Sequence, residues 1–412
     1  MPKSKRHLCQ KMLFSVIAAS LLVVFNSSAF VDQSDLDEFI LETMEANHIP
    51  GLSACIVKKD KLVWAKQYGW ADVENKIPMA ADTIQNIGSI SKTITATAVM
   101  QLWEKGKFKL DDDVNTYLSF KVRNPDYPDD PITFRQLLTH KSSIKDGQAY
   151  GKSYACGDPT ISLKDWITEY FTPGSTYYDA RENFHTWKPG TIKIPRGPRA
   201  YTNVGYGLLG YLAEVLSGMD FAEYCKKHIF VPLGMTQTGW HLADIDVSRH
   251  AIPYSYYPEN FKQPEDLELR SLLPRYGPDK QSIKKGAFFP HCLYSFPNYP
   301  DGLIRTSVQD LSRFLRAYIN GGTFEGVPIL QKETIASMLS DRHLGRGLCW
   351  YTQKYKGGIL TWGHGGGDPG ISTQMLFIPE DDTGVIVFFN CDSPRNAYGK
   401  ILNRLIAERA QF

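Results

Sequence analysis

Ser89-Ile90-Ser91-Lys92 sets a hydroxyl and an amine three residues apart at the head of a run that reads as a helix. Residues i and i+3 share a helix face, so Lys92 can touch Ser89. A serine hydroxyl is a weak nucleophile until a base takes its proton, and a lysine amine whose pKa falls on burial can be that base. A helix start also supplies unpaired backbone N–H groups beside an oxygen that must carry negative charge. The stretch therefore implies acyl transfer through Ser89.

The spacing S-x-x-K recurs at Ser142–Lys145 and Ser282–Lys285, so context has to choose. After Ser89 come Ile90, Ile94, Ala98, Val99 and Leu102 at helical spacing, and Gly106 closes the run. Ser142 leads into Lys145-Asp146-Gly147 and Ser282 into Lys284-Lys285-Gly286, and both read as solvated loops. Taken alone, Ser89 also reads as a helix cap with an exposed Lys92.

Outward from this point the pattern changes period. Asp35 to Asn47 places Leu36, Phe39, Ile40 and Met44 on one helix face. Leu52–Val57 and Leu62–Tyr68 read as strands of a hairpin turning at Lys58-Lys59-Asp60-Lys61, and Gly358–Trp362, Thr373–Ile378 and Gly384–Phe389 as three more strands. Tyr398 to Ala410 reads as a closing helix. The expected class is α+β, with one antiparallel sheet built from both chain ends (30–88 and 345–412), flanking helices, and a mostly helical region (89–344) between them. Within that region Thr133–Leu138, Val204–Leu216 and Val308–Ile319 are the clearest helices. The long loops Tyr117–Pro131, Asp146–Pro159 and Ile252–Pro300 are expected to shape an opening. Ser89 falls at the join of the two regions, where pockets tend to form.

Residues 1–29 read as a secretory signal: Lys3, Lys5, Arg6 and Lys11, an apolar run from Met12 to Phe25, then Ser27-Ser28-Ala29. The expected location is secreted or periplasmic, with residues 30–412 forming one domain; an uncleaved anchor is the alternative. Removing four basic and no acidic residues turns the formal charge of +2 into −2. A near-neutral surface without a basic run argues against nucleic acid or an anionic membrane as the main partner. Six cysteines remain, which allows disulfides without requiring one. The oligomeric state is left open.

A reactive serine needs further groups to complete the proton path and to hold the oxyanion. Tyr201-Thr202-Asn203 precedes a helix; a phenol near an amine can relay the serine proton, and an amide can orient lysine and substrate. A second Y-x-N, Tyr318–Asn320, has a helix-ending explanation. Trp362-Gly363-His364-Gly365-Gly366-Gly367-Asp368-Pro369-Gly370 follows a strand, and its glycines let an oxyanion approach main-chain N–H groups. Two matches to the dinucleotide fingerprint, at Gly365–Gly370 and Gly205–Gly210, lack the strand-turn-helix context.

In this order, S-x-x-K, Y-x-N and H-x-G resemble the serine β-lactamase and D-alanyl-D-alanine-peptidase superfamily, most of all its class C β-lactamase-related branch of carboxylesterases and D-aminopeptidases. Ile49-Pro50-Gly51, Thr133 to His140 and Pro232-Leu233-Gly234-Met235 extend the likeness along the chain. The resemblance implies a β-lactamase/transpeptidase-like fold with no metal or cofactor. It implies that Ser89 is acylated, that Lys92 and Tyr201 transfer protons, and that Asn203, His364, Gly365 and Gly366 meet the substrate. The backbone N–H groups of Ser89 and Gly367 would form the oxyanion hole. His364-Gly365-Gly366 replaces the usual Lys-Thr-Gly, losing a cation and a hydroxyl that would grip a carboxylate. The expected substrate is a small ester or amide, with a D-amino-acid peptide, a β-lactam or non-catalytic penicillin binding as alternatives.

Overall fold

A computed structural model describes residues 33–191, 201–259, 285–340, 346–392 and 395–412. The expected signal segment, Ser282 and the middle of the Ile252–Pro300 loop lie outside the described residues.

The chain opens with helix α1 (Gln33–Ala46), then the hairpin β1 (Gly51–Lys58) and β2 (Lys61–Asp72), then a two-residue strand β3 (Ile77–Pro78). Helices α2 (Ser91–Glu104), α3 (Phe134–Leu138), α4 (Val204–Ser217) and α5 (Val308–Ile319) follow. The chain closes with β4 (Tyr351–Lys354), β5 (Leu360–Asp368), β6 (Ile371–Ile378), β7 (Thr383–Phe389) and α6 (Arg395–Glu408). One antiparallel sheet, ordered β4-β5-β6-β7-β1-β2-β3, joins both ends of the chain, with Leu52 opposite Phe389 and Lys58 opposite Thr383.

Both faces of this sheet are covered, which explains why β7 is buried along its whole length. Val385, Val387 and Phe389 pack with Leu36 and Ile40 of α1 and Ile401 and Leu405 of α6. Their neighbours Ile386 and Phe388 point the other way, into a second core shared with α2, α4 and α5. Helix α5 lies on β1 and β7, so part of the middle region covers the sheet.

Four expectations change. β4 was not foreseen, because Tyr351-Thr352-Gln353-Lys354 has no apolar alternation; pairing with Leu360–Gly363 makes it a strand. His364 to Gly367 do not follow a strand but lie within β5, held in the ladder by pairing with Ser372 to Met375. The middle region also contains short strand pairs, Tyr254–Tyr257 with Ala287–Pro290 and Ala155–Cys156 with Tyr294–Ser295. A disulfide ties Cys156 of the last pair to Cys292, two residues before its partner strand. Ser142 is buried rather than solvated, beside Ile144, which packs into the core.

Helix α2 is buried on every side, not only along its apolar stripe. Its threonines permit this by bonding backbone carbonyls: Thr93 Oγ1 donates to Ile90 O at 2.7 Å and Thr95 Oγ1 to Pro300 O at 2.6 Å. Gly106 ends the run at φ +68°, as its position predicts.

Candidate active site

Ser89 lies in a 3-10 turn, Gly88–Ile90, that leads into α2. From Thr83 to Leu102 it is the only residue that is not buried. The caps of the turn and of α2 are Ile87 and Ile90, so the Ser89 hydroxyl is not spent on capping. The turn is pinned from three directions: Asn86 Oδ1 accepts from Gly88 N at 2.6 Å, Ile87 N donates to Ile304 O at 3.0 Å, and Ile87 O accepts from Thr373 Oγ1 at 2.7 Å.

Lys92 is fully buried, not exposed, and its Nζ lies 3.1 Å from Ser89 Oγ. The same nitrogen is 2.7 Å from Asn203 Oδ1, 2.7 Å from Asp301 O and 3.4 Å from Asp301 Oδ2. Burial pushes the Lys92 pKa down, and the charges of Asp301 and Asp146 hold it back from falling further. Burial pushes the Asp301 carboxyl up, against the pull of Lys92.

Asn203 begins α4, and its amide is engaged at both ends: Oδ1 on Lys92, Nδ2 on Asp146 Oδ2 at 2.9 Å. Asp146 also accepts from the backbone N–H of Asn203 at 2.7 Å and of Val204 at 3.0 Å, capping α4 from a distant loop. Asn203 therefore orients the lysine.

Tyr201 stacks on His140 with ring centroids 4.2 Å apart, and Lys92 Nζ stands 4.9 Å from the Tyr201 ring centre. Its buried hydroxyl faces Ser89, and that contact favours the phenolate. Burial outweighs this and pushes the phenol well above its ordinary range, so at rest it carries its proton.

His364 is 2% exposed, its ring 6.5 Å from Tyr201 and 4.7 Å from Tyr351. Nδ1 lies 2.7 Å from Gly365 O, and Nε2 has no partner. Burial, reinforced by Lys92, pushes the imidazole down to about 3, so it is neutral at pH 7. Gly366 packs so tightly that a Cβ would meet Ile87 O at 2.0 Å, while Gly365 faces Gln374 and Tyr398. Beyond Gly363 strand β4 no longer pairs with β5, which leaves that edge open toward Ser89. Gly88, at φ +53°, abuts it; a Cβ there would lie 2.9 Å from Gly367 N. Ser89 and Gly367 thus bring two main-chain segments side by side.

Sequence reasoning missed Asp301, Asp146 and His140. Asp146-Gly147 and Asp301-Gly302 read as ordinary turns, and no local signal marks them as partners of Lys92 and Asn203. It also missed Arg346, whose guanidinium lies 5.5 Å from the Tyr351 ring beside His364. A cavity of about 600 Å³, lined by Lys152, Asp158, Trp166 and Glu182, lies apart from these groups. The site is marked by its chemistry, not by its volume.

A serine, a buried lysine and a tyrosine converging where an antiparallel sheet meets a helical region define the serine β-lactamase/transpeptidase-like superfamily. The chain belongs to the Beta-lactamase family, whose model matches residues 36–411. It is similar to penicillin-binding protein 4* of Bacillus subtilis (strain 168), 24% identical over 348 residues, 82% of this chain and 67% of that protein. It is also similar to Protein flp of Staphylococcus aureus (strain N315), 23% identical over 363 residues, 88% of this chain but only 64% of that protein's length. An octameric penicillin-binding protein homologue from Pyrococcus abyssi superposes with a TM-score of 0.69 at 27% identity, covering 91% of this chain and 77% of that one. The D-amino acid amidase from Ochrobactrum anthropi SV3 does so with 0.71 at 18% identity, covering 91% and 98%. The fold expected from the motifs is confirmed. Among the described residues no helix is long and apolar enough to cross a membrane.

Proposed function

We propose that the chain is a serine hydrolase that cleaves a small ester or amide through an acyl-enzyme on Ser89. The observation that carries this reading is the buried Lys92 amine, its pKa lowered by desolvation, 3.1 Å from Ser89 Oγ. In its neutral form Lys92 takes the Ser89 proton as Oγ attacks the substrate carbonyl. The oxyanion is held by the N–H groups of Ser89 and Gly367, the first of which, early in a 3-10 turn, has no intrahelical acceptor. The Tyr201 phenol gives its proton to the leaving group and regains one from Lys92. Water then enters, and the same groups run in reverse to release the acid.

The neutral His364 favours esters and small amides over β-lactams, because no cation stands at that strand position to hold a carboxylate. Export to a secreted or periplasmic compartment accords with the Cys156–Cys292 disulfide. The test is intact-protein mass spectrometry after exposure to a fluorophosphonate and to a β-lactam, alongside turnover of short acyl esters, D-alanyl peptides and a chromogenic cephalosporin. One adduct, lost in Ser89→Ala, is expected. An adduct that persists in Ser89→Ala overturns the assignment, and labelling without turnover of any substrate supports a non-catalytic binding protein.

A further inference from the structure

Tyr201 presents its hydroxyl to Ser89, yet it stands two residues ahead of Asn203, the cap of α4, and so outside the helical ladder. What holds it is His140, which takes no part in the proton path. The two rings stack with centroids 4.2 Å apart and 26° between their planes. The next backbone N–H along the chain, that of Thr202, donates to His140 Nδ1 at 3.2 Å. One imidazole thus grips both the face of the phenol ring and the main chain beside it. Tyr206, in the first turn of α4, backs His140 at 5.0 Å and donates from its own hydroxyl to Leu138 O at 3.0 Å. The His364 ring, by contrast, meets Tyr201 tilted and at 6.5 Å.

Keeping a histidine at this position is costly on two counts. His140 follows Thr139, the cap of α3, at φ +55°, a left-handed backbone that glycine adopts freely and histidine does not. Its ring is buried and Nε2 has no hydrogen-bond partner, so part of its polarity goes unmet. A residue that only filled space would need neither the strained backbone nor the polar ring, and strain that persists points to a functional constraint. The acceptor at Nδ1 also requires a neutral imidazole, because a protonated one would set a donor against the Thr202 N–H. Burial, reinforced by the Lys92 charge, holds the His140 pKa well below its ordinary range, and the acceptor is kept at neutral pH.

We propose that His140 is a positioning residue that aims the Tyr201 phenol at Ser89 and the leaving-group oxygen, through the ring stack and the bond from Thr202 N to Nδ1. In acylation the bond between the carbonyl carbon and the leaving oxygen breaks as the Tyr201 O–H proton passes to that oxygen; His140 gains and loses nothing. The inference rests on the reading of Ser89 as the acylated nucleophile and Tyr201 as the proton donor.

A leaving group that is stable as an anion needs little help from the phenol, whereas an alkoxide needs its proton. The experiment therefore compares kcat/KM for p-nitrophenyl acetate and ethyl acetate, which share the acyl group, in the wild type, His140→Phe, His140→Asn and Tyr201→Phe. His140→Phe keeps a ring against Tyr201 without the acceptor. His140→Asn keeps an acceptor without the ring, and asparagine tolerates the left-handed backbone. Each should raise the p-nitrophenyl-to-ethyl ratio about tenfold, a part of the roughly 10²-fold cost of misplacing or losing a general acid. The ratio is taken within one preparation, so a loss of folded protein cancels from it. In the Tyr201→Phe background neither substitution should change the ratio further. A ratio unchanged in both variants, or a change equally large in the Tyr201→Phe background, overturns the proposal. Fluorophosphonate labelling separates the two readings. Labelling that persists in Ser89→Ala sinks the hydrolase reading and this inference with it. Labelling lost in Ser89→Ala, together with an unchanged ratio in both His140 variants, sinks only this inference.

Discussion

Lys92 Nζ meets Asp301 twice, at 2.7 Å from its carbonyl oxygen and 3.4 Å from Oδ2, although the two residues are 209 positions apart. The carbonyl aims the amine and the carboxylate sets its charge. Burial favours neutral Lys92 and the carboxylate favours the ammonium, so the amine's readiness as a base is a balance between them. Asp301→Asn removes the negative charge, which must lower the Lys92 pKa further. The acidic limb of the kcat/KM profile should therefore move to lower pH. A limb that moves upward or stays in place would show that Asp301 does not tune Lys92. Asp301→Ala should also destabilise the fold by about 3 kcal/mol, the low end for breaking a buried pair, since the stranded lysine can shed its proton.

Lys92→Ala and Tyr201→Phe should each lower turnover by about 10²-fold or more, the usual scale for losing a general acid or base. The two groups serve one proton path, so the double variant should lose much less than the product of the single losses. Full multiplicativity in steady-state rates would mean that they act separately.

Gly88→Ala should reduce turnover by about 10²-fold, the scale of losing an oxyanion donor, while Lys92 stays beside Ser89. The cause is geometric: at φ +53° an alanine is strained, and its Cβ would stand 2.9 Å from Gly367 N, prising the turn from β5. A variant with wild-type kcat would show that the approach of the two segments is unimportant.

His364 gives a pH signature in stability. Its folded-state pKa is depressed to about 3 against an unfolded value near 6.5, so between those limits the unfolded chain binds the extra proton. Stability must then fall as the pH drops from 6.5 toward 3. His140 and His250 are depressed by burial too, and add to the loss. His364→Gln should lose less stability than wild type over that range. Melting temperatures at pH 7 and pH 4 test this; an equal drop in both proteins would mean that the imidazole is not held neutral.

Much of the fold is legible because its signals are local. Apolar period and turn residues placed α1, the first hairpin, α4, α5 and β7 within a few residues of their observed bounds. β4 was invisible because a partner strand, not its own composition, makes it extended. His364 to Gly367 read as following a strand because glycine carries no strand signal, whereas pairing with β6 keeps them in the sheet.

The same division runs through the site. The contact of Ser89 with Lys92 follows from a three-residue spacing on a helix, and the head of α4 carries Tyr201 and Asn203, so sequence alone singled out groups that the fold brings together. What they become was decided by tertiary structure. Only packing buries Lys92 and lowers its pKa, brings Asp301 to the amine and Asp146 to Asn203, and strips His364 of its charge. The physical reason is that desolvation and charge pairing depend on atoms that meet across the fold, from segments up to 209 residues apart, and no local pattern records them.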